Sequence, residues 1–241
     1  MLSFKITKLV TLFKRISKYF FELLVVVFGV YLGFAANSYS EEQKQKEYVK
    51  ATIKQMYIGL QQDLGDAEGN RKGHEGGIAC ARFISKIVKN QDVNIDSFEF
   101  VLFNLTRSFV SVQNTSPFET LKSKGLNLIT NDSLRSRIIK LYDFQYDVLE
   151  KIEETYDESR LFENYNSDIV QILDKSLVYD QNARLEKIIL PLNVTPEERS
   201  RLILILKRII NTRYFNINVY DEVIGDMKLL IVSLQNEYPF L

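Results

Sequence analysis

The chain has few of the residues that crosslinking and most catalytic chemistry require. Its 241 residues include no tryptophan, one histidine and one cysteine. A lone Cys80 excludes a disulfide framework within the chain, although an intermolecular disulfide stays open. A metal site with soft ligands needs several Cys or His side chains, and His74 and Cys80 alone are too few. We therefore predict no metal site.

Glycine and proline, which interrupt helices, are also scarce, at 10 and 4 residues. Long runs with the apolar period of a helix lie between them. The chain is 46% hydrophobic and 26% charged, which is typical of a folded protein. We predict an all-α fold. Basic and acidic residues balance at 31 each, so the net charge gives no reason to expect a nucleic-acid partner.

One hydrophobic run dominates the N-terminal part of the chain. It reads YFFELLVVVFGVYLGFAA from Tyr19 to Ala36, with one acidic and no basic residue. As a helix it would extend roughly 27 Å, close to the hydrocarbon thickness of a bilayer. We predict a transmembrane helix at 19–37, in contact with the lipid bilayer. It should continue beyond the membrane as a rigid helical stalk.

The charges beside this run predict its orientation. Residues 1–18 carry five basic and no acidic side chains, and such an excess favours the cytoplasmic side. Their interleaved apolar residues suit either a basic amphipathic segment on the inner leaflet or an ordinary basic tail. Residues 38–241 would then form a periplasmic domain of a single-pass inner-membrane protein. A cleavable signal peptide is the alternative, although the apolar run exceeds the usual length.

Four residues of the span are candidate interaction residues. Gly29 and Gly33 form a GxxxG pair, which lets helix backbones approach closely, and Asn37 continues the same face. Glu22 lies about one turn inside the cytoplasmic edge, where a carboxylate either reaches the headgroups or contacts another subunit. The pattern predicts a homo-oligomer or an inner-membrane protein partner.

Beyond the span, helical periods alternate with breaks. An apolar stripe from Val49 to Leu64 predicts one helix face, and five glycines in 65–77 predict an interhelical loop. A helix at 78–88 follows. Further helix starts are predicted at a capping box of Asp96 and Glu99, at Ser116 with Pro117, and at Asn131.

Two later stretches complete this prediction. The helix from Asn131 has an apolar seam, and residues 179–194 read as a loop because Pro191 excludes a continuous helix. The seam residues are Leu134, Ile138, Leu141, Val148 and Ile152, and the seam is widened by Tyr142, Tyr146 and Leu149.

The last helix has the most regular pattern. Thr195, Pro196 and Glu198 predict its start, and isoleucine then recurs every seven residues from Ile203 to Ile231. The alternate seam positions of this coiled-coil pattern are Leu206, Arg213, Tyr220, Met227 and Leu234. Arg213 is the one charged seam residue and a candidate for fixing register or meeting an acid across an interface. The seam packs either within an antiparallel bundle of this chain or between chains, and we favour the first.

Several segments together resemble a family of uncharacterised single-span proteins of Bacteroidetes, known as a domain of unknown function. The resemblance rests on FELLVVVFGVYLGFAANSYSEEQKQKEYVKATIKQMYIGLQQDL, on SPFETLKSKGLNLITNDSLRSRIIKLYDFQYDVLEKIEE and on RYFNINVYDEVIGDMKLLIVSLQNEYP. The family span opens with an acid and carries a small-residue pair, as Glu22, Gly29 and Gly33 do here. Its usual tryptophan turn is replaced by residues 36–40. The resemblance implies architecture and location, and it implies no catalytic residues.

These observations predict a membrane-anchored helical scaffold or interaction protein without catalysis or cofactors. The alternative is a ligand-sensing or ligand-binding helical bundle, with a pocket lined by some of the 13 Tyr and 16 Phe residues. No nucleophile motif or phosphate loop in a suitable context indicates an enzyme.

Overall fold

The structure is a computed structural model that describes residues 2–91, 93, 98–182 and 184–241, with the side chains of the first helix described from Tyr19 onward. Helices account for nearly all its regular structure, so the predicted all-α class is confirmed. The α-helices are α1 (Leu2–Val88), α2 (Phe98–Leu105), α3 (Ser116–Lys124), α4 (Asp132–Ile139), α5 (Tyr146–Glu154), α6 (Leu161–Leu173) and α7 (Pro196–Glu237).

A small antiparallel hairpin contains the only two strands among the described residues. Its strands are β1 (Leu177–Tyr179) and β2 (Leu185–Ile188), with Leu177 opposite Ile188. It falls mostly within 179–194, where we predicted a loop, and that prediction is corrected to this extent. Asp180 organises the turn, since its Oδ1 accepts from the backbone N–H groups of Asn182 and Arg184 at 2.8 Å.

The internal contacts of the chain divide it into two units, Met1–Ala51 and Thr52–Leu241. The first unit is the N-terminal part of α1. Twelve of its large apolar side chains, between Tyr19 and Phe34, are 54% to 73% exposed. By length and composition this stretch suffices to cross a membrane. One span-length apolar helix is therefore present where we predicted it.

In the second unit, α1 passes without a break through residues 65–77, so the predicted loop is wrong. Its glycines lie in a helix whose buried face repeats every seven residues. The buried positions are Leu60, Ala67, His74, Ala81 and Val88. A glycine costs a helix up to about 1 kcal/mol, and burial along this face outweighs that cost.

The starts of the middle helices follow their sequence patterns, apart from the box of Asp96 and Glu99, whose first residue lies outside the described part. Pro117 lies in the first turn of α3, and Gly125 ends the helix at a φ of 107°, which favours glycine. Asn131 caps α4, since its Oδ1 accepts from the backbone N–H of Leu134 at 3.1 Å.

A π-helical segment, Lys140–Gln145, joins α4 to α5 and changes which side chains are buried. Leu134, Ile138 and Leu141 are buried as predicted, and the wider turn also brings the predicted flanking residues Tyr146 and Leu149 into the core. The predicted seam positions Val148 and Ile152 are only partly buried. This part of the seam is therefore corrected.

The helix α7 begins with the predicted capping box: the Thr195 hydroxyl accepts from Glu198 N at 3.2 Å, and Glu198 accepts from Thr195 N at 2.8 Å. All the alternate positions of the predicted seam are buried, whereas of the isoleucines Ile217 and Ile224 are buried and Ile203 is 39% exposed. The fully buried residues are Leu206, Arg213, Tyr220, Met227 and Leu234, alternating with Leu202, Ile209, Asn216, Val223 and Leu230. The seam packs inside this chain.

One part of the hydrophobic core positions the candidate site. It joins the C-terminal part of α1, in the range 80–88, to α2, α6, the hairpin and the start of α7. Central members are Ile84, Leu105, Ile169, Leu173 and Leu206. Because α2 and α6 share this core, their outer faces lie side by side.

Candidate functional site

Arg213 is the most unusual residue of the core, since it is a fully buried charged side chain, 0% exposed. Its Nη2 donates to the backbone carbonyls of Leu105 at 2.8 Å, Arg107 at 3.1 Å and Asn104 at 3.2 Å. These carbonyls belong to the C-terminal end of α2 and the residues after it. Arg213 thus satisfies acceptors that the end of a helix leaves without partners.

No carboxylate lies within ion-pair distance of Arg213 in the described chain. The negative end of the α2 dipole and the three carbonyls stabilise the cation instead. Burial lowers the pKa of Arg213 to about 10. Because this pKa is still well above 7, Arg213 is charged at neutral pH. The acid that we expected opposite Arg213 is thus replaced by backbone of the same chain.

His74 faces the same guanidinium, with its Nδ1 3.2 Å from Nη1 of Arg213. Since arginine only donates, Nδ1 must be the unprotonated acceptor nitrogen. Burial, and then the charge of Arg213, lower the pKa of His74 to about 3. The imidazole is therefore neutral at physiological pH and serves as a structural acceptor.

Two of the glycines in 65–77 make room for this arrangement. A Cβ on Gly77 would overlap the Arg213 guanidinium, and one on Gly73 would overlap the ring of Phe109. Gly73 and Gly77 therefore allow close approach of side chains to the helix, whereas the sequence pattern was interpreted as a loop. Gly59, Gly73 and Gly77 lie on one face of α1, and that spacing was the signal available in the sequence.

Residues 106–115 form an extended segment along this face of α1, which we call the strap. Asp63 accepts from Asn114 N at 3.0 Å, Asp66 accepts from Val112 N at 3.3 Å, and Asn70 donates to Ser111 Oγ at 3.2 Å. The strap therefore runs antiparallel to α1. Seven residues of α1 rise by roughly 10 Å, and three extended residues of the strap span the same distance.

Two acids anchor the strap, of which Asp63 is buried and Glu153 is partly buried. Asp63 also accepts from Tyr146 Oη at 2.8 Å, while Glu153 accepts from Ser111 N and Oγ, both at 2.8 Å, and from the Tyr220 hydroxyl. Burial raises the pKa of both carboxyls, and their hydrogen bonds oppose that shift. These groups satisfy the strap backbone, which otherwise lacks a neighbouring strand.

On the outer side of α2 lies an open cleft of about 520 Å³, which we call the α2–α6 cleft. Its apolar lining comes from the two helices and the hairpin, and its polar lining lies around the end of α2. The main apolar residues are Leu102, Phe103, Phe162, Val170, Tyr179 and Leu185. Phe103 is 69% and Phe162 55% exposed, so the cleft presents aromatic surface to solvent. The sequence did not indicate which aromatic residues would line a pocket, because they come from distant segments.

The candidate residues of the span all lie in the first unit and are exposed. A Cβ on Gly29 or Gly33 would have no heavy atom within 4 Å, so this face of the helix has room for a partner. Glu22 and Asn37 lie on the same helix, α1. These four residues belong to the first unit, and Arg213 belongs to the second.

The isolated His and Cys of the chain are both inside the second unit. Burial raises the pKa of the Cys80 thiol, which disfavours the reactive thiolate. Within the described residues, no three His, Cys, Asp or Glu side chains lie close enough to hold a metal ion.

Comparisons with protein-family models, curated proteins and solved structures give no match. The resemblance to the Bacteroidetes family therefore stays a prediction, and the function is argued from the geometry of this chain.

Proposed function

We propose that this chain is a single-pass inner-membrane protein that acts as a helical scaffold or interaction subunit, with residues 38–241 in the periplasm as a helical bundle. The observation that carries the proposal is the eighteen-residue apolar stretch of α1, whose large side chains are exposed. Exposing so much apolar surface to water is unfavourable, whereas the hydrocarbon core of a bilayer accommodates it. The basic residues of 1–18 support a cytoplasmic N-terminus.

Self-association through the span is the second part of this proposal. The face of Gly29 and Gly33 has no side-chain bulk and permits close contact with another helix. The neutral His74 and the buried Cys80 support a role without catalysis, since neither is available to a substrate.

Disulfide crosslinking in native membranes tests this arrangement. With Cys80→Ala as background, a cysteine replacing Val30 lies beside the Gly29 and Gly33 face, whereas one replacing Tyr31 points away from it. We expect oxidation to give a covalent dimer from Val30→Cys and little from Tyr31→Cys. Adding Gly29→Ile and Gly33→Ile should abolish that dimer. Equal crosslinking at the two positions, or none, would contradict self-association by this face.

The same preparation tests whether the segment is a retained anchor. The intact mass of the mature protein should include residues 1–36, and alkaline carbonate should leave it in the membrane pellet. A product that begins near residue 36 and stays in the soluble fraction would instead identify a cleaved signal peptide.

A ligand-binding role is the second candidate function, favoured by the α2–α6 cleft. Its volume of about 520 Å³ falls within the range of small-molecule sites, and its lining is mostly apolar with a few polar groups. Saturable binding of a small ligand by the full-length protein would distinguish this role from a purely structural one.

A further inference from the structure

We propose that the α2–α6 cleft binds a free single-chain carboxylic acid, with its aliphatic chain against Phe103, Phe162 and Tyr179 and its carboxylate beside Arg107. The proposal rests on the second candidate function, ligand binding, and names the class of ligand. It is independent of how the span associates.

The apolar part of the cleft fits an aliphatic chain. Phe103, Phe162, Tyr179 and Val170 line it, and each remains 40% to 69% exposed. A chain lying in the cleft would remove this surface from water, and its binding free energy would grow with each methylene until the cleft is filled. A flat polar ligand would leave the aromatic surface uncovered.

Hydrogen-bond donors are concentrated where α2 ends. The Arg107 guanidinium lies over the rings of Phe103 and Phe109, 5.7 and 5.8 Å from their centroids, and no carboxylate of the described chain lies within 4.0 Å of it. Its planar face is occupied by the rings, so its N–H edge is available for the two oxygens of a carboxylate. Nearby, Asn166 Oδ1 accepts from Thr106 at 3.4 Å, which leaves the Asn166 amide N–H₂ to donate.

The two acids of the cleft leave this end available. Glu163 lies 3.9 Å from the guanidinium of Arg160, which offsets its charge. Glu99 lies in the first turn of α2, six residues before the helix ends at Leu105 and roughly 9 Å from that end along the axis. The cleft therefore has a donor-rich end and an apolar length, which is the polarity of a fatty acid rather than of a cationic or neutral amphiphile.

The absence of tryptophan from the chain allows a local measurement. Phe162→Trp places the sole tryptophan in the cleft, and Phe144→Trp places it at a 58% exposed position outside the cleft lining. The full-length protein, held in amphipol, is titrated with ω-bromoundecanoic acid and with ω-bromoundecanol, whose bromine quenches tryptophan at short range. Arg107→Gln is compared with Arg208→Gln, which removes an exposed charge elsewhere, each in the Phe162→Trp background.

We expect saturable quenching by the acid at Phe162→Trp and only weak, linear quenching at Phe144→Trp. Arg107→Gln should weaken binding of the acid by roughly fivefold and leave binding of the alcohol unchanged. Arg208→Gln should change the affinity for neither compound. Linear quenching of equal strength at the two tryptophans would overturn both the ligand and the ligand-binding function. Saturable binding with no preference for the acid, or equal weakening of acid and alcohol by Arg107→Gln, would overturn the carboxylic acid alone.

Discussion

Nη1 of Arg213 and Nδ1 of His74 lie 3.2 Å apart in the core of the second unit, although 139 residues separate them in the chain. Two basic side chains are compatible there only because one of them is neutral. The arginine donates through Nη2 to three carbonyls at and just after the end of α2, and the imidazole accepts at Nδ1. This contact joins α1, α2 and α7, so we expect it to control the stability of the second unit.

Replacing Arg213 by methionine should cost about 3 kcal/mol or more of unfolding free energy. The change keeps apolar volume but leaves the carbonyls at the end of α2 without their donor. Urea denaturation followed by circular dichroism measures the effect. Arg208→Met is the matched control, since Arg208 is exposed on the same helix, and it should change the free energy by less than about 0.5 kcal/mol. Similar values for the two variants would contradict a structural role for Arg213.

The neighbouring glycines of α1 should respond oppositely to alanine. Gly77→Ala should destabilise the protein by about 2 kcal/mol, because its Cβ would overlap the Arg213 guanidinium. A Cβ on Gly76 meets no heavy atom within 4 Å, so Gly76→Ala should stabilise the helix by about 0.5 to 1 kcal/mol. Thermal unfolding of both variants checks this. Stabilisation by both changes would show that residue 77 lies on an open helix face or in a loop.

Stability should depend on pH through His74. Its pKa is about 3 in the folded chain and near 6.5 in the unfolded one, so between these values only the unfolded state binds the proton. The contribution of His74 to the free energy of unfolding is therefore fully present above pH 6.5, and it is lost as the pH drops toward 3. The slope should approach about 1.4 kcal/mol per pH unit. His74→Gln, which retains an acceptor for Arg213, should remove this slope from urea midpoints measured over the same range.

The raised pKa values of Asp63 and Glu153 act in the other direction. Their folded forms hold protons to higher pH than the unfolded chain, so they favour folding as the pH falls. Both groups are present in wild type and in His74→Gln, and the difference between the two proteins therefore isolates the histidine. An unchanged difference from pH 7 to pH 4 would contradict the buried neutral state of His74.

Two lysines in the middle of the apolar stretch should release the protein from the membrane. Val26→Lys with Val27→Lys costs about 5 to 7 kcal/mol if both lysines sit near the bilayer centre. We expect most of the protein in the supernatant or in aggregates after carbonate extraction. Val110→Lys with Val112→Lys is the matched control, because both valines are at least 50% exposed in the strap. Membrane retention of both double variants would show that the stretch is not the anchor.

Local patterns in the sequence were sufficient to predict several elements. Thr195 and Glu198 place the start of α7, Pro117 places the start of α3, and Asn131 places the start of α4. Each depends on contacts within a few residues, which is why sequence reasoning found it. The eighteen apolar residues near the N-terminus belong to the same class, since their length and composition alone define a candidate span.

Tertiary structure decided the features that depend on distant neighbours. Residues 65–77 have the glycine content of a loop, yet they form a helix in which Gly73 and Gly77 leave space that Phe109 and Arg213 fill. Adjacent faces of α7 are both apolar, so tertiary packing decides which of them is buried. Ile203 lies at the edge of the core as a result. The charge of Arg213 was visible in the sequence. The carbonyls that stabilise it could be known only once α2 and α7 were packed together.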